Sequence, residues 1–153
     1  MRLDYLPWII GCAILILALV AVVHVTRKPR YRRHQVMTDN EAEFYQRLVS
    51  AFPDLQIWPQ VPLLSLIRPD AKPGSRAFWV AFRKISNARV DWVIVQDLEI
   101  LAIIELDDRT HNFRRDAARD QILKSCGYRV LRFSSKRRPR AQQLREAVLL
   151  GLA

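Results

Sequence analysis

From Leu6 to Val25 the chain carries no Asp, Glu, Lys or Arg, and no polar stripe interrupts the apolar run. At about 1.5 Å per residue such a run spans roughly 30 Å, the thickness of a bilayer's hydrocarbon core, which predicts a transmembrane helix over 6–25. Pro7 suits a helix's first turn, and Trp8 stands where an interfacial aromatic belongs. Beyond residue 36 the apolar positions come in shorter units. Thr38 and Glu41 have the spacing of a capping box, Phe44, Leu48, Val49 and Phe52 give the following helix an apolar face, and Pro53 ends it. Residues 54–75 are broken by prolines and read as extended or loop-rich, with a strand at Gln60–Ile67. Ala77–Ile85, Arg89–Val95 and Ile100–Leu106 are rich in Val, Ile, Phe and Trp and short enough for strands, the last two joined by a turn at Gln96–Glu99. Arg114–Cys126 reads as a helix with Gly127 at its end, Tyr128–Ser134 as a strand, and Pro139–Leu150 as a closing helix. The expected organisation is a tail (1–5), a transmembrane helix (6–25), a basic juxtamembrane linker (26–36) and one mixed α/β domain (37–153), its sheet covered by helices.

Charge adds a direction to this picture. The net charge is +10, and the block Arg27, Lys28, Arg30, Arg32 and Arg33 supplies half of it directly after the apolar run. By the positive-inside rule the N-terminus lies outside and the domain in the cytoplasm, with residues 27–33 against anionic lipid headgroups. A cleaved signal peptide is the rival reading. The length of the run, the missing Ala-x-Ala spacing and the basic block after it favour an uncleaved anchor. Cys12 falls in the apolar run and Cys126 in the domain, which excludes an intradomain disulfide or a cysteine zinc site and fits a reducing compartment. The rest of the excess charge needs another partner. Arg129, Arg132, Lys136, Arg137, Arg138, Arg140 and Arg145 follow one another with no acid between them. Such a stretch suits a polyanion, nucleic acid or the same anionic membrane.

The hairpin carries the candidate chemistry. Period-two alternation puts Asp91, Val93 and Val95 on one face of its first strand and Val90, Trp92 and Ile94 on the other. On the second strand Ile103, Glu105 and Asp107 share a face, so a short turn brings Asp91 opposite Glu105. Carboxylates gathered on apolar strands repel one another and are costly to bury unless paired or metal-bound. A hard divalent cation relieves both penalties. Taken singly, each acid reads more simply as a solvent-exposed strand end. As a group, followed by His111 and then by Asp116, Arg119 and Asp120 on the next helix, they make a candidate hydrolytic site.

Several segments together resemble one bacterial family. They are Val90-Asp91-Trp92, Ile104-Glu105-Leu106-Asp107-Asp108, His111, Arg119-Asp120 and Gly127 to Phe133, with the Thr38–Leu48 run and Gln60-Val61 before them. The chain resembles the domain of unknown function 2726 over about residues 37 to 135. That family is similar to the very-short-patch-repair endonucleases of the restriction-endonuclease-like PD-(D/E)xK superfamily. The resemblance implies a restriction-endonuclease-like mixed sheet flanked by helices. It implies Asp91 and Glu105 as the metal pair, Glu41 as a first-helix contributor, Asp107 beside them, and His111 as acid, base or phosphate ligand. Mg²⁺ or Mn²⁺ is the cofactor it implies; from their charge, Arg119, Arg132, Lys136, Arg137 and Arg138 are the expected nucleic-acid contacts. One departure stands out: the expected Glu-x-Lys is Glu105-Leu106-Asp107, without the lysine. The expectation is therefore a nuclease-like protein at the inner face of a bacterial membrane, cleaving DNA or RNA phosphodiesters. The alternatives are a catalytically silent nucleic-acid-binding module and a protein-interaction module, either one tethered to the membrane.

Overall fold

The computed structural model describes residues 5–26, 28–107, 113–137 and 139–150. It divides into two units, Met1–His34 and Gln35–Ala153. The first contains helix α1 (Leu6–Thr26), 21 residues with none buried. By length and composition α1 is long and apolar enough to cross a membrane. It runs one residue past the expected end, where the Thr26 hydroxyl donates back to the Val22 carbonyl (2.8 Å).

The second unit holds α2 (Asp39–Ala51), β1 (Gln56–Pro62), α3 (Leu63–Leu66), α4 (Arg76–Ile85), β2 (Arg89–Gln96), β3 (Glu99–Asp107), α5 (Phe113–Ser125), β4 (Val130–Ser134) and α6 (Ala141–Leu149). Its four strands lie in the order β1-β2-β3-β4. The first three pair antiparallel, and β4 joins β3 in parallel after the α5 crossover. Helices cover both faces. Phe44 and Leu48 of α2 and Leu144 and Val148 of α6 pack on Trp92, Ile94, Ile104 and Leu106. On the other face Leu63, Ile85 and Leu123, from α3, α4 and α5, pack on Val93, Val95 and Ile103. Both clusters lie wholly inside Gln35–Ala153, so this unit carries its own core.

Local signals account for most of the elements. Thr38 and Glu41 form the expected reciprocal capping box at the start of α2. The β2–β3 turn has positive φ at Asp97 (50°) and Leu98 (67°), and Gln96 pairs with Glu99, which is the two-residue hairpin geometry that matches strand twist. Gly127 takes φ 87° after α5, which a side chain would resist.

Three expectations need correction. Residues Ala77–Ile85 form helix α4 and not a strand. Phe78, Ala81, Phe82 and Ile85 turn inward at the spacing of one helical face, while Trp79 and Val80 are about half exposed. Ser75 caps this helix by accepting the Phe78 amide (3.1 Å). The strand expected at Gln60–Ile67 lies earlier, at Gln56–Pro62, and the chain then turns through α3. Pro139 precedes the cap residue Arg140 instead of opening α6. A smaller difference is that Val90 joins Val93 and Val95 in the second cluster, away from Trp92. On β1, Ile57 and Val61 divide between the clusters in the same way, although a regular strand would point both to one side. Between them Gln60 has φ 52°, and this irregularity turns the strand over.

Candidate active site

The carboxylates gather where the hairpin meets α5. Trp92 pairs with Ile104 and Val93 with Ile103, so one step further along the ladder Asp91 stands opposite Glu105. Glu105 in turn lies beside Arg132 of β4. Gln60 falls in the same row on β1, between the pairs Pro59–Trp92 and Val61–Val90. The row thus crosses the sheet as Gln60, Asp91, Glu105, Arg132, and α5 adds Arg119 and Asp120 above it.

Glu105 is the most constrained of these groups. It is 1 % exposed. Its Oε2 accepts from Arg119 Nη2 (2.8 Å), while Oε1 has no hydrogen-bond partner among the described residues. Burial and then the neighbouring Asp91 carboxylate push its pKa up from 4.5 to about 8, with Arg119 and Arg132 pulling the other way. Asp91 Oδ2 accepts the backbone amide of Leu106 (2.8 Å), which ties the two hairpin strands together beside Glu105. Arg119 also donates to the Arg89 carbonyl (3.4 Å) and so spans from α5 to the start of β2.

A second knot sits next to the first. Arg132 Nε donates to both oxygens of Asp107 (3.0 and 3.1 Å), and Arg132 Nη1 donates to Asp120 Oδ2 (2.8 Å). These hydrogen bonds, that to Asp107 foremost, raise the Arg132 pKa. Asp120 is 8 % exposed, and its Oδ1 has no partner among the described residues. The position after Glu105-Leu106, where a lysine is expected, is therefore an aspartate engaged by an arginine.

The remaining expected residues are dispersed. Glu41 serves the α2 cap, its Oε2 accepting from the Thr38 amide (2.6 Å) and hydroxyl (2.7 Å), and its Oε1 accepts from Gln60 Nε2 (3.3 Å). Glu41 reaches the row through Gln60. Lys136 and Arg137 are exposed just after β4. His111 and Arg138 lie outside the described residues. Two arginines of the basic C-terminal stretch have structural work. Arg129 donates to the Ala147 and Val148 carbonyls at the end of α6, and Arg145 Nη1 donates to the Ala51 carbonyl at the end of α2 (3.1 Å). Sequence reasoning passed over Gln60 as a site residue, which had only its place in the Gln60-Val61 resemblance as a signal; Asp120 was placed in the candidate cluster, but without its partner Arg132.

For metal binding the donor set is small. Among the described residues there is no group of three or more His, Cys, Asp or Glu placed to hold an ion. Asp91 and Glu105 remain, with Glu105 Oε1 orphaned. Two carboxylates fit Mg²⁺, which keeps several waters and takes one or two carboxylates together with substrate phosphates.

A family model described as protein of unknown function (DUF2726) matches residues 33–151. The chain belongs to this family. No curated protein and no solved structure matches it. The family's span coincides with the second unit and contains the whole row, from Glu41 and Gln60 to Arg132.

Proposed function

We propose that this DUF2726 chain is a membrane-anchored, nuclease-like protein acting on DNA or RNA phosphodiesters at the cytoplasmic face of a bacterial inner membrane. The supporting observation is Glu105: a fully buried carboxyl on a strand, beside a second carboxylate, with one oxygen that has no partner among the described residues. Burying such a carboxyl with only one oxygen paired is costly, and a strongly raised pKa of this kind is commoner at functional sites than elsewhere. The mixed sheet with helices on both faces agrees with the restriction-endonuclease-like architecture that the resemblance implies. Asp91 and Glu105 would hold Mg²⁺ or Mn²⁺, which when bound supplies charge neutralisation at a phosphate and acidifies a coordinated water. The chain's own contribution is positional. The Leu106 amide fixes Asp91, Arg119 fixes one oxygen of Glu105, and Arg119 also places a cation at the carboxylate pair. The anchor reading rests on α1 and on the basic residues that follow it.

The test is cleavage of plasmid and single-stranded substrates by the full chain in detergent with Mg²⁺ or Mn²⁺. Wild type should cut, and Asp91→Asn and Glu105→Gln, shown folded by circular dichroism, should each lose about 100-fold or more. Cutting that survives both substitutions would sink the assignment of this pair.

A second reading has its own observation. Arg119 and Arg132 already engage Glu105, Asp107 and Asp120, so much of the acid cluster is neutralised without a metal. On that reading the domain binds nucleic acid and does not cut it. Calorimetric titration of Mn²⁺ separates the two, because the silent module shows no heat that Glu105→Gln removes.

A further inference from the structure

An open cleft of about 870 Å³ lies between the end of α4 and the outer side of α5. Arg83, Lys84 and Asn87 line it from one side, and Arg119, Gln121 and Ser125 from the other. Among the described residues every charged group lining it is a cation, and no carboxylate does. The local sequence reinforces this: between Asp70 and Asp91 the chain has Lys72, Arg76, Arg83, Lys84 and Arg89 and no acid. Basic residues at the end of α4 suit the helix dipole, which explains Arg83 and Lys84 taken alone. The dipole does not explain why they face a third cation, an amide and a hydroxyl side chain across an open cleft. Arg119 joins the cleft to the carboxylates, since it lines the one and donates to Glu105 in the other.

We propose that the cleft between α4 and α5 is the track for a nucleic-acid phosphodiester backbone, held by Arg83, Lys84 and Arg119 and leading to the Asp91–Glu105 pair. The inference rests on the nucleic-acid part of the proposed function and is independent of whether the domain cuts. Because the cleft is open and lined by cations and amides, it takes a chain of phosphates passing through. Cations on phosphates carry no sequence information, so binding through Arg83, Lys84 and Arg119 is indifferent to sequence and depends on salt. It adds to the contacts open to the basic C-terminal stretch, where Arg129 and Arg145 are occupied as helix caps and Lys136 and Arg137 are exposed.

The experiment uses the full chain in zwitterionic micelles with EDTA, so that neither cleavage nor anionic lipid contributes. Fluorescence anisotropy reads binding of labelled single-stranded DNA, duplex DNA and RNA oligonucleotides over a range of salt. The Arg83→Ala/Lys84→Ala variant should bind about tenfold or more weakly, with a salt slope shallower by about 1 to 2. A charge-matched control in the linker, Lys28→Ala/Arg30→Ala, should stay close to wild type, and Arg83→Lys/Lys84→Arg should restore affinity because fixed cations suffice. Wild type that binds no oligonucleotide overturns the nucleic-acid reading and the track with it. Wild type that binds while the alanine pair is unchanged overturns the track alone, whatever that pair does to affinity for anionic lipid. Equal losses in the linker control would also overturn it, by reducing the effect to net charge.

Discussion

Glu105 concentrates the residue-scale physics of this domain. Its carboxyl is raised from 4.5 to about 8 by burial and by Asp91, which means the folded state holds a proton that the unfolded chain releases near 4.5. Between those two values the folded state binds more protons than the unfolded one, so stability falls as pH rises from about 4.5 through about 8. Glu105→Gln keeps the size and an acceptor for Arg119 but cannot ionise. Its melting temperature should differ little from wild type at the acid end and exceed it increasingly toward pH 9, by an amount worth a few kcal/mol at most. A gap that stays constant from pH 5 to 9 would remove Glu105 as the responsible group. Asp107 needs no such account, because Arg132 grips both of its oxygens. Two strand acids one side chain apart thus have opposite chemistry, the inner one under strain and the outer one neutralised. Sequence alternation places both on one face but says nothing of how each will meet its arginine, since Arg119 and Arg132 arrive from α5 and β4.

At the scale of elements, α4 is the instructive case. Its residues are β-branched and aromatic enough to suggest a strand, yet the inward positions Phe78, Ala81, Phe82 and Ile85 keep a helical period. What decides between them is the Ser75 cap. Ser75→Ala removes the acceptor of the Phe78 amide and should cost about 1 kcal/mol in denaturant unfolding, whereas Ser75→Asp should retain most of the stability. An alanine variant as stable as wild type would show that the cap contributes nothing. The hairpin itself was legible from alternation and a short turn, but the meeting of Asp91 and Glu105 also needs a one-residue register shift between Ile94 and Val95, because the turn register alone would set Asp91 against Ile104. The α2 start was legible because Thr38 and Glu41 act locally. Gln60 was not, because its positive φ reverses the alternation from which faces are read. Nor were the roles of Arg129 and Arg145, whose carbonyl partners lie on helices distant in sequence. Reading α4 as a strand also hid the cationic cleft, since Arg83 and Lys84 meet α5 only on a helix that ends beside it.

On the proposed anchor, the question for the whole molecule is which side of the membrane the row of Gln60, Asp91, Glu105 and Arg132 occupies. Helix α1 is apolar up to its last turn, which holds His24 and Thr26, and the cations after it support the proposed placement of the second unit inside. The chain's own cysteines report on this. Cys126 is exposed just beyond α5 in the second unit, whereas Cys12 lies within α1 and would be shielded by lipid. In intact bacterial spheroplasts expressing the chain, a membrane-impermeant maleimide should leave Cys126 unmodified and should label it once the cells are opened. Cys126→Ser should abolish the labelling in both states, which excludes reaction at Cys12. Labelling before lysis would put the domain outside, where the basic block would be on the wrong side. It would also separate the domain from cytoplasmic nucleic acid, so the same result would remove the substrate that the Asp91–Glu105 pair and the α4–α5 cleft are proposed to share. Protection before lysis instead confines the domain to nucleic acid that comes within reach of the short segment between α1 and α2. Such confinement raises the effective concentration of membrane-proximal nucleic acid without any new contact, so a cleft with few phosphate contacts is sufficient there.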